Sequence, residues 1–478
     1  MLWLALHFPL LALEAHPCRQ SPSVVVSRGR VVVCDRLAAE AGVSAGQKLS
    51  TALGLQPGLG IIERDLAREM LALESLACWA GRFTPVISLV PAGLLLEIGA
   101  CLRLFGGLNV IVEAALAGCA DQRYSTVWAV APTPLGAFWL ARAGAVAAYP
   151  TEEEMQAALG RLSCAVTGWP EAVLKRLEAF GLRSLADLRA LPGSGLRRRI
   201  GNAPVDDLLR AWGALPDPQL PFVFPERFSL GLELPSRVED AEALVFAGQR
   251  LFAALSGWLH GRQLLVRACS LQLTHDDGSQ STLSLRFAEP AADEMRFLRL
   301  LREHLSRLQL AAPVEAVRLL AEEVIKKPGG STHLFDQPIA GEGTLACLER
   351  LRARLGEAAV QSLGMVADYR PECATKATDV AMDFGQKSPS TAAGNYLADS
   401  LPPSRPLWLF PVPQALAERS GGPQWHGPLK LLSRAERLES GWWDEGEAQA
   451  AGDVRRDYFV ACNPQGQWAW IFRDAEGW

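Results

Sequence analysis

The first 14 residues, MLWLALHFPLLALE, hold only two titratable side chains, His7 and Glu14. Residues 2–6 are apolar on both faces, which predicts a buried central strand, and Pro9 then ends the strand and opens a helix. Two-metal phosphoryl transfer needs clustered carboxylates that hold Mg²⁺. The predicted strand carries no carboxylate, so it cannot supply such a cluster.

The same segment resembles the opening strand of the Y-family (translesion) DNA polymerases, whose pattern is D-x-D-x-F-[FY]-A-x-V-E. Ala5 and His7 stand at the first two acidic positions, and Glu14 stands at the last one. Alanine cannot bind a metal, and a neutral imidazole is a poor ligand for a hard cation. The resemblance therefore implies a polymerase palm that has lost these metal ligands.

The predicted fingers show the same loss. Residues 23–35 form two β-branched runs around Ser-Arg-Gly-Arg, which predicts a hairpin, and a helix, a turn and a second helix follow. Y-family fingers carry Y-x-A-R-x-x-G-[IV]-x-x-G-M, whose Tyr and Arg face the incoming triphosphate. Arg36 and Ala39 stand at those two positions, while the turn is kept by Gly42, Val43 and Gly46.

Two further segments continue the pattern. Residues 85–98 predict two strands around a Pro-Ala-Gly turn, and they match S-[IV]-D-E-A-x-L-D with Ala92 and Gly93 at the acidic pair. APTPLGAFWLARAG is similar to the G-[IV]-x-x-N-K-x-L-A-K helix, with Pro134 and Phe138 in place of phosphate-facing lysines. One degenerate motif is easily misaligned, but four losses in the correct order resemble the inactive, polymerase-like members of the family found in the bacterial mutasome.

Composition sets the outer limits. The chain has 478 residues, of which 49% are hydrophobic and 21% charged, so we expect a globular protein of several domains. Its net charge of −5 requires any nucleic-acid contact to come from local basic patches. Ten cysteines without a C-x-x-C pair favour reduced thiols and argue against a zinc site. With no signal peptide or membrane span recognised, we expect a cytoplasmic protein without metal or cofactor.

Residues 171–200 carry the local basic patch. Leu174, Leu177 and Phe180 share one predicted helix face, a glycine turn follows, and residues 185–191 predict a second apolar face. This spacing is typical of a helix-hairpin-helix, which approaches phosphates without reading sequence. A solvated, charged helix face is the alternative. The predicted DNA-binding residues are Lys175, Arg176, Gly181, Arg183, Arg197, Arg198 and Arg199.

Alternating and helical patterns in residues 226–326 give the order β-α-β-β-α-β, which is the split βαβ layout. The Y-family little finger has this topology. The predicted fold class is thus α+β and multidomain, with the domains palm and fingers (1–160), helix-hairpin-helix thumb (161–215), little finger (226–326), clamp-binding linker (327–340), helical extension (341–373), disordered linker (374–406) and small β-rich C-terminal module (407–478).

The linker after the little finger contains STHLF, a weakened form of the Q-[LF]-x-L-F peptide with which bacterial polymerases bind the sliding clamp. Its predicted contact residues are Ser331, His333, Leu334 and Phe335. Later segments, VADYRPE, ERLESGWW and DYFV, are similar to segments of the same polymerase-like proteins, in which the C-terminal region recruits partners.

The resemblance implies a non-catalytic hub for error-prone translesion synthesis in the SOS response to DNA damage. Its expected partners are damaged primer-template DNA, the sliding clamp, an error-prone C-family DNA polymerase and a RecA-like accessory protein, with no membrane, and we expect it to join the nucleoid during DNA damage. Two alternatives stay open. One is a divergent active polymerase that uses Glu14, Asp35 or Glu97 as substitute ligands, and the other is a structural DNA-binding protein without a polymerase partner.

Overall fold

Contacts divide the chain into two compact units, Met1–Arg354 and Leu355–Trp478. This division is coarser than the seven predicted domains, whose boundaries stay predictions. The computed structural model describes residues 1–17, 21–327, 344–356, 359–366, 368–379, 406, 408–419, 421–442 and 454–478.

The first half of unit one contains two sheets and the helices that cover them. Its elements are β1 (Trp3–His7), α1 (Leu11–Glu14), β2 (Ser23–Ser27), β3 (Arg30–Cys34), α2 (Arg36–Glu40), α3 (Leu49–Leu55), β4 (Gly60–Glu63), α4 (Leu66–Ala80), β5 (Ile87–Val90), β6 (Gly93–Glu97), α5 (Leu102–Phe105), α6 (Leu108–Asp121), β7 (Val127–Ala131), α7 (Pro134–Arg142) and β8 (Ala147–Ala148).

The palm sheet has the strand order β5-β6-β1-β7-β8, with β1 antiparallel to both of its neighbours. Leu4 and Leu6 pack into one hydrophobic cluster, whereas Trp3 and Ala5 pack into another on the opposite face. Side chains alternate across a strand, so an apolar run buries both faces. The predicted buried central strand is confirmed.

The fingers sheet has the order β3-β2-β4, and β2 and β3 form the predicted hairpin. Arg28 and Gly29 turn the chain with φ values of 51° and 72°. The Asp35 side chain caps α2 by accepting a hydrogen bond from the Ala38 backbone N–H at 2.9 Å. A capping carboxylate satisfies an N–H that has no partner in the helix, which explains the helix start.

A helical domain follows the palm. Its helices are α8 (Glu152–Gly160), α9 (Glu171–Ala179), α10 (Leu185–Arg189), α11 (Gly193–Ile200) and α12 (Asn202–Ala211). The Ser184 hydroxyl and the Asp187 carboxylate cap α10 reciprocally. Leu177, Leu185 and Leu188 are buried in the same cluster as Trp3, so this domain packs on the palm sheet.

The little-finger sheet has the order β11-β10-β12-β9 and is antiparallel throughout. The chain order β-α-β-β-α-β is the predicted split βαβ, and the α+β fold class is confirmed. Its elements are β9 (Ser229–Val238), α13 (Val245–Gly261), β10 (Leu264–His275), β11 (Gln280–Ala291), α14 (Glu294–Leu305) and β12 (Val314–Lys326), and α15 (Thr344–Leu355) ends this part of the chain.

Helix α13 differs from its sequence prediction. The apolar spacing predicts one buried face, yet residues 253–259 are all buried. Seven consecutive residues pass all the way around a helix, so α13 is covered on every side. The sequence pattern predicts the face that meets the domain's own sheet, and it does not reveal the second covering.

Unit two is β-rich, as predicted. Its strands are β13 (Gln361–Met365), β14 (Thr375–Asp379), β15 (Ala417–Arg419), β16 (Gly422–Gln424), β17 (Lys430–Leu431), β18 (Glu436–Ser440), β19 (Val454–Cys462) and β20 (Trp468–Arg473). Strands β19 and β20 pair antiparallel through a turn at residues 463–466. Strand β14 pairs with β13 and lies at the start of the segment predicted to be disordered, so that prediction is wrong for residues 375–379.

Membrane-spanning potential is low in the described residues. No single helix there is long and apolar enough to cross a membrane. One pair, Gly99–Phe105 and Leu108–Asp121, meets the length and composition criteria only in combination, and it is bent by 90°.

Candidate polymerase-like site and nucleic-acid interface

The register of the palm sheet brings the predicted lost-ligand positions together. His7 lies opposite Gly93 in the β1–β6 pair, and the His7 ring nitrogen Nδ1 is 3.1 Å from the Ala92 carbonyl oxygen. The Phe8 backbone N–H donates to the same carbonyl at 2.8 Å. Two sequence motifs 85 residues apart therefore meet at one end of the sheet.

Neither Ala92 nor Gly93 suits a metal-binding side chain in this register. Ala92 has a φ of 52°, in the left-handed region that L-residues rarely adopt. A Cβ added at Gly93 would lie 2.6 Å from the Leu6 carbonyl oxygen and 3.2 Å from a methyl of Val90. These residues do not fit a pair of magnesium ions.

Apolar side chains cover the same face. Ala5 is fully buried in a cluster with Trp3, Leu95 and Phe138. The Phe138 ring meets the His7 ring edge to face, with centroids 6.1 Å apart. Burial lowers the pKa of His7, and the Arg142 charge lowers it further, while the bond to the Ala92 carbonyl opposes both. Burial therefore favours the neutral form of the imidazole.

The three substitute carboxylates are already engaged in structural hydrogen bonds. Glu14 accepts from the Ser125 backbone N–H at 2.9 Å and from its hydroxyl at 2.6 Å. Glu97 accepts from two backbone N–H groups, at 3.3 and 3.1 Å. Asp35 is the cap of α2. Within the described ranges, no group of three or more His, Cys, Asp or Glu side chains could hold a metal ion.

The predicted triphosphate-contacting positions in the fingers and in α7 do not form a binding site. Arg36 is 90% exposed and forms an i,i+4 ion pair with Glu40 at 2.8 Å, and Ala39 is exposed on the same short helix. Pro134 and Phe138 are both buried in α7. The predicted triphosphate-facing positions therefore hold a surface pair and a packed helix face.

The predicted basic patch contains both paired and unpaired cations. Lys175 pairs with Glu171 and Arg197 pairs with Asp206, each at 2.7 Å. Among the described residues, the exposed side chains of Arg183 and Arg198 have no ion pair or hydrogen-bond acceptor. Gly181 has a φ of 72° with open space around it. Arg183 and Arg198 are thus the cations most available to a phosphate.

Phe180 corrects one sequence expectation. It is predicted to share the buried face of α9 with Leu174 and Leu177, but it follows the helix and is 50% exposed. The Arg199 guanidinium lies over its ring, 5.3 Å from the centroid, and Arg176 donates to the Arg199 carbonyl at 3.1 Å. An exposed aromatic ring with two arginines replaces the predicted core contact.

A second glycine turn, at Gly168, is not among the features predicted from the sequence. Gly168, with a φ of 74°, joins the 3-10 helix Cys164–Thr167 to α9. The positive φ favours glycine there, and a Cβ at this position would also displace the end of the Arg142 side chain. The Thr-Gly-Trp-Pro run is the available signal, because glycine and proline close together mark a turn.

The open face of the little-finger sheet was also missed. Strand register places small and polar side chains on this face, and Arg318 lies opposite both Gln272 and Gly231. Helix α13 packs on the other face. The exposed members of the open face are Ser229, Gly231, Glu233, Thr282, Ser284, Arg286 and Arg318. Alternation along the strands was the available signal.

The predicted clamp peptide cannot be placed in this geometry. Ser331, His333, Leu334 and Phe335 lie outside the described residues. Their assignment stays a prediction.

No family model matches the chain. Among curated proteins it is similar to "Protein ImuB" of Caulobacter vibrioides strain NA1000 / CB15N, with 29% identity over 465 residues that cover 90% of this chain and 96% of that protein. The predicted resemblance is confirmed. The ImuB of a second strain, ATCC 19089 / CIP 103742 / CB 15, gives the same values. Because unit one ends at Arg354 of 478 residues, a match to ImuB over 90% of the chain includes part of unit two.

Solved structures similar to the chain include DNA polymerases. "Dbh Ternary Complex (substrates partially disordered)" has 16% identity and a TM-score of 0.39, and it covers 68% of this chain and 100% of that one. "Crystal Structure of DinB from Sulfolobus solfataricus" has 16% identity, a TM-score of 0.37 and the same coverage.

Proposed function

We propose that this protein is a non-catalytic, polymerase-like hub that binds damaged primer-template DNA during error-prone translesion synthesis. The observation that carries the proposal is the packed site where β1 meets the start of β6. Ala5, His7, Ala92 and Gly93 stand there at the positions expected for metal ligands. Carboxylates are needed there for two-metal transfer. The similarity to ImuB over most of the chain supports the same role.

The DNA contact would be made by two surfaces of unit one. The first is the basic end of the helical domain, where exposed arginines lie beside a glycine turn. The second is the open face of the little-finger sheet, where Arg318 has neutral neighbours on both adjacent strands. Both surfaces offer cations and small polar groups, which suit backbone contacts without base readout.

Primer extension and DNA binding by the same preparation of full-length protein test this proposal. We expect binding to undamaged and abasic templates, and no extension with Mg²⁺ or Mn²⁺. Glu14→Gln and Glu97→Gln serve as controls, because those carboxylates are two of the three candidates for a substitute metal site. Extension that either substitution abolishes would support the alternative of a divergent active polymerase.

The partners are proposed on the ImuB resemblance. They are the bacterial sliding clamp, an error-prone C-family polymerase that receives the primer end, and a RecA-like accessory protein. We place the protein in the cytoplasm, with the nucleoid as its site of action during DNA damage. The remaining alternative, a structural DNA-binding protein, would bind DNA without any of these partners.

The clamp contact has a matched test within the chain. Leu334→Ala with Phe335→Ala should weaken binding to a purified sliding clamp by about 30-fold, roughly 2 kcal/mol, because such side chains act as pocket anchors. The control is a second Leu-Phe pair, Leu409 and Phe410, which are 38% and 48% exposed. If both double variants lose clamp affinity equally, or neither loses any, the clamp assignment is wrong.

A further inference from the structure

The little finger shares a hydrophobic core with the palm. One buried cluster includes Leu4 and Trp79 from the palm and Trp258 and Leu319 from the little finger. Helix α13 lies between its own sheet and α4, which explains why it is buried all round. A domain that moves on a linker covers its own core, so this shared core indicates a fixed joint.

Glycines allow the two helices to meet backbone to backbone. A Cβ added at Gly257 would overlap the carbonyl oxygens of Cys78 and Trp79, and one added at Gly81 would overlap the Gly257 carbonyl oxygen. Phe224, from the segment between the domains, fills the remaining space beside Gly81 and Gly261. Backbone atoms cannot rotate away, so a larger residue at position 257 must separate the helices.

Charged side chains border this contact. Arg82 pairs with Glu294 at 2.7 Å, and its guanidinium also donates to the Ala253 carbonyl at 3.0 Å. Both side chains of the Arg82–Glu294 pair are mostly buried, with 28% and 20% of their surface exposed. Arg68 forms a two-bond pair with Glu233, at 2.9 Å for each bond.

The segment between the helical domain and the little finger is bound along its length. Its Asp217 carboxylate accepts from the Leu135 backbone N–H at 3.0 Å, and the Phe222 backbone N–H donates to the Ile87 carbonyl at 2.6 Å. Near its end, the Pro225 carbonyl accepts from the Trp258 indole at 2.8 Å. These contacts join the segment to the palm first and to α13 last.

We propose that the palm and the little finger form one preset body, held by the α4–α13 joint, instead of two domains that move on a linker. The open face of the little-finger sheet then keeps a fixed position relative to the palm. Its use for DNA rests on the proposed function, since DNA would meet a surface already arranged. The joint itself is independent of DNA.

The first experiment compares Gly257→Ala with Gly248→Ala in the full-length protein without DNA. Both glycines lie in α13, but a Cβ at Gly248 would meet the flexible end of Leu301 within the little finger. Hydrogen exchange is measured for α4 and for residues 216–227. We expect exchange to rise about tenfold or more in both segments for Gly257→Ala, and to stay at the wild-type rate for Gly248→Ala.

Unchanged exchange in α4 of folded Gly257→Ala would overturn the proposal. If that variant does not fold, swapping the charges of the Arg82–Glu294 pair tests whether the pair holds the joint. Arg82→Glu should raise α4 exchange, and Arg82→Glu combined with Glu294→Arg should recover most of the protection. A double variant that exchanges as fast as Arg82→Glu would show that the pair does not hold the joint. Loss of DNA binding with an intact joint would instead count against the proposed function alone.

Discussion

The palm sheet and the little-finger sheet belong to the same unit, yet they differ in how many of their faces are covered by helices. The palm sheet is covered on both faces, by α4 on one side and by α7 on the other. The little-finger sheet is covered by α13 on one face and open on the other. A sheet covered on both faces has no face left for a ligand, whereas an open polar face can still bind one.

Single residues on the two sheets show this difference in burial. Ala5 on the central palm strand is fully buried and faces Phe138, while Thr282 in the little finger is exposed beside Gln272. The predicted palm site is therefore filled by packed apolar side chains. A carboxylate placed there would have to displace that packing.

The largest expected effect comes from Ala5→Asp. A carboxylate placed in this apolar cluster has no partner, so we expect a loss of about 3–5 kcal/mol in the stability of the palm sheet. Hydrogen exchange at the β1 amides measures that local free energy. No polymerase activity should appear.

Thr282→Asp is the matched control on the open face. There the carboxylate stays in water, and we expect a change of about 1 kcal/mol or less, set by strand propensity. Similar losses at both positions would mean that the two sheets do not differ in the way described. A small loss for Ala5→Asp alone would indicate room for metal ligands in the palm.

The sequence predicts those features that depend on local pattern. The apolar run of residues 2–6 identifies β1, and the alternation in the little finger identifies the split βαβ. Both follow from local sequence, because neighbouring residues determine which strand positions are buried. Phe180 and α13 could not be predicted in this way. Phe180 is placed by the arginine above it, and the second covering of α13 comes from a helix about 180 residues away in sequence, for which no local periodicity exists.

The next effect is on DNA binding by the open face. Arg318→Ala should lower the slope of log affinity against log salt by about 1, because one phosphate contact is lost. Arg286→Ala is the control, since Arg286 already pairs with Glu323 at 2.8 Å and offers less charge to DNA. Binding titrations at several salt concentrations measure both slopes. If neither slope changes, DNA does not use this face.

The smallest effect concerns pH and the filled palm site. Burial lowers the pKa of His7 below its usual 6.5, so the folded state binds fewer protons than the unfolded state as pH falls through that value. The folded state therefore keeps its full stability above pH 6.5 and loses stability as the pH falls below that value. The effect is small because His7 is only partly buried and water screens part of the charge. Protection of the Phe8 amide, which bonds the same Ala92 carbonyl, should fall from pH ~7.5 to ~5 in the wild type and change less in His7→Gln. Equal pH dependence in both proteins would assign the effect to another group and leave the neutral imidazole without support.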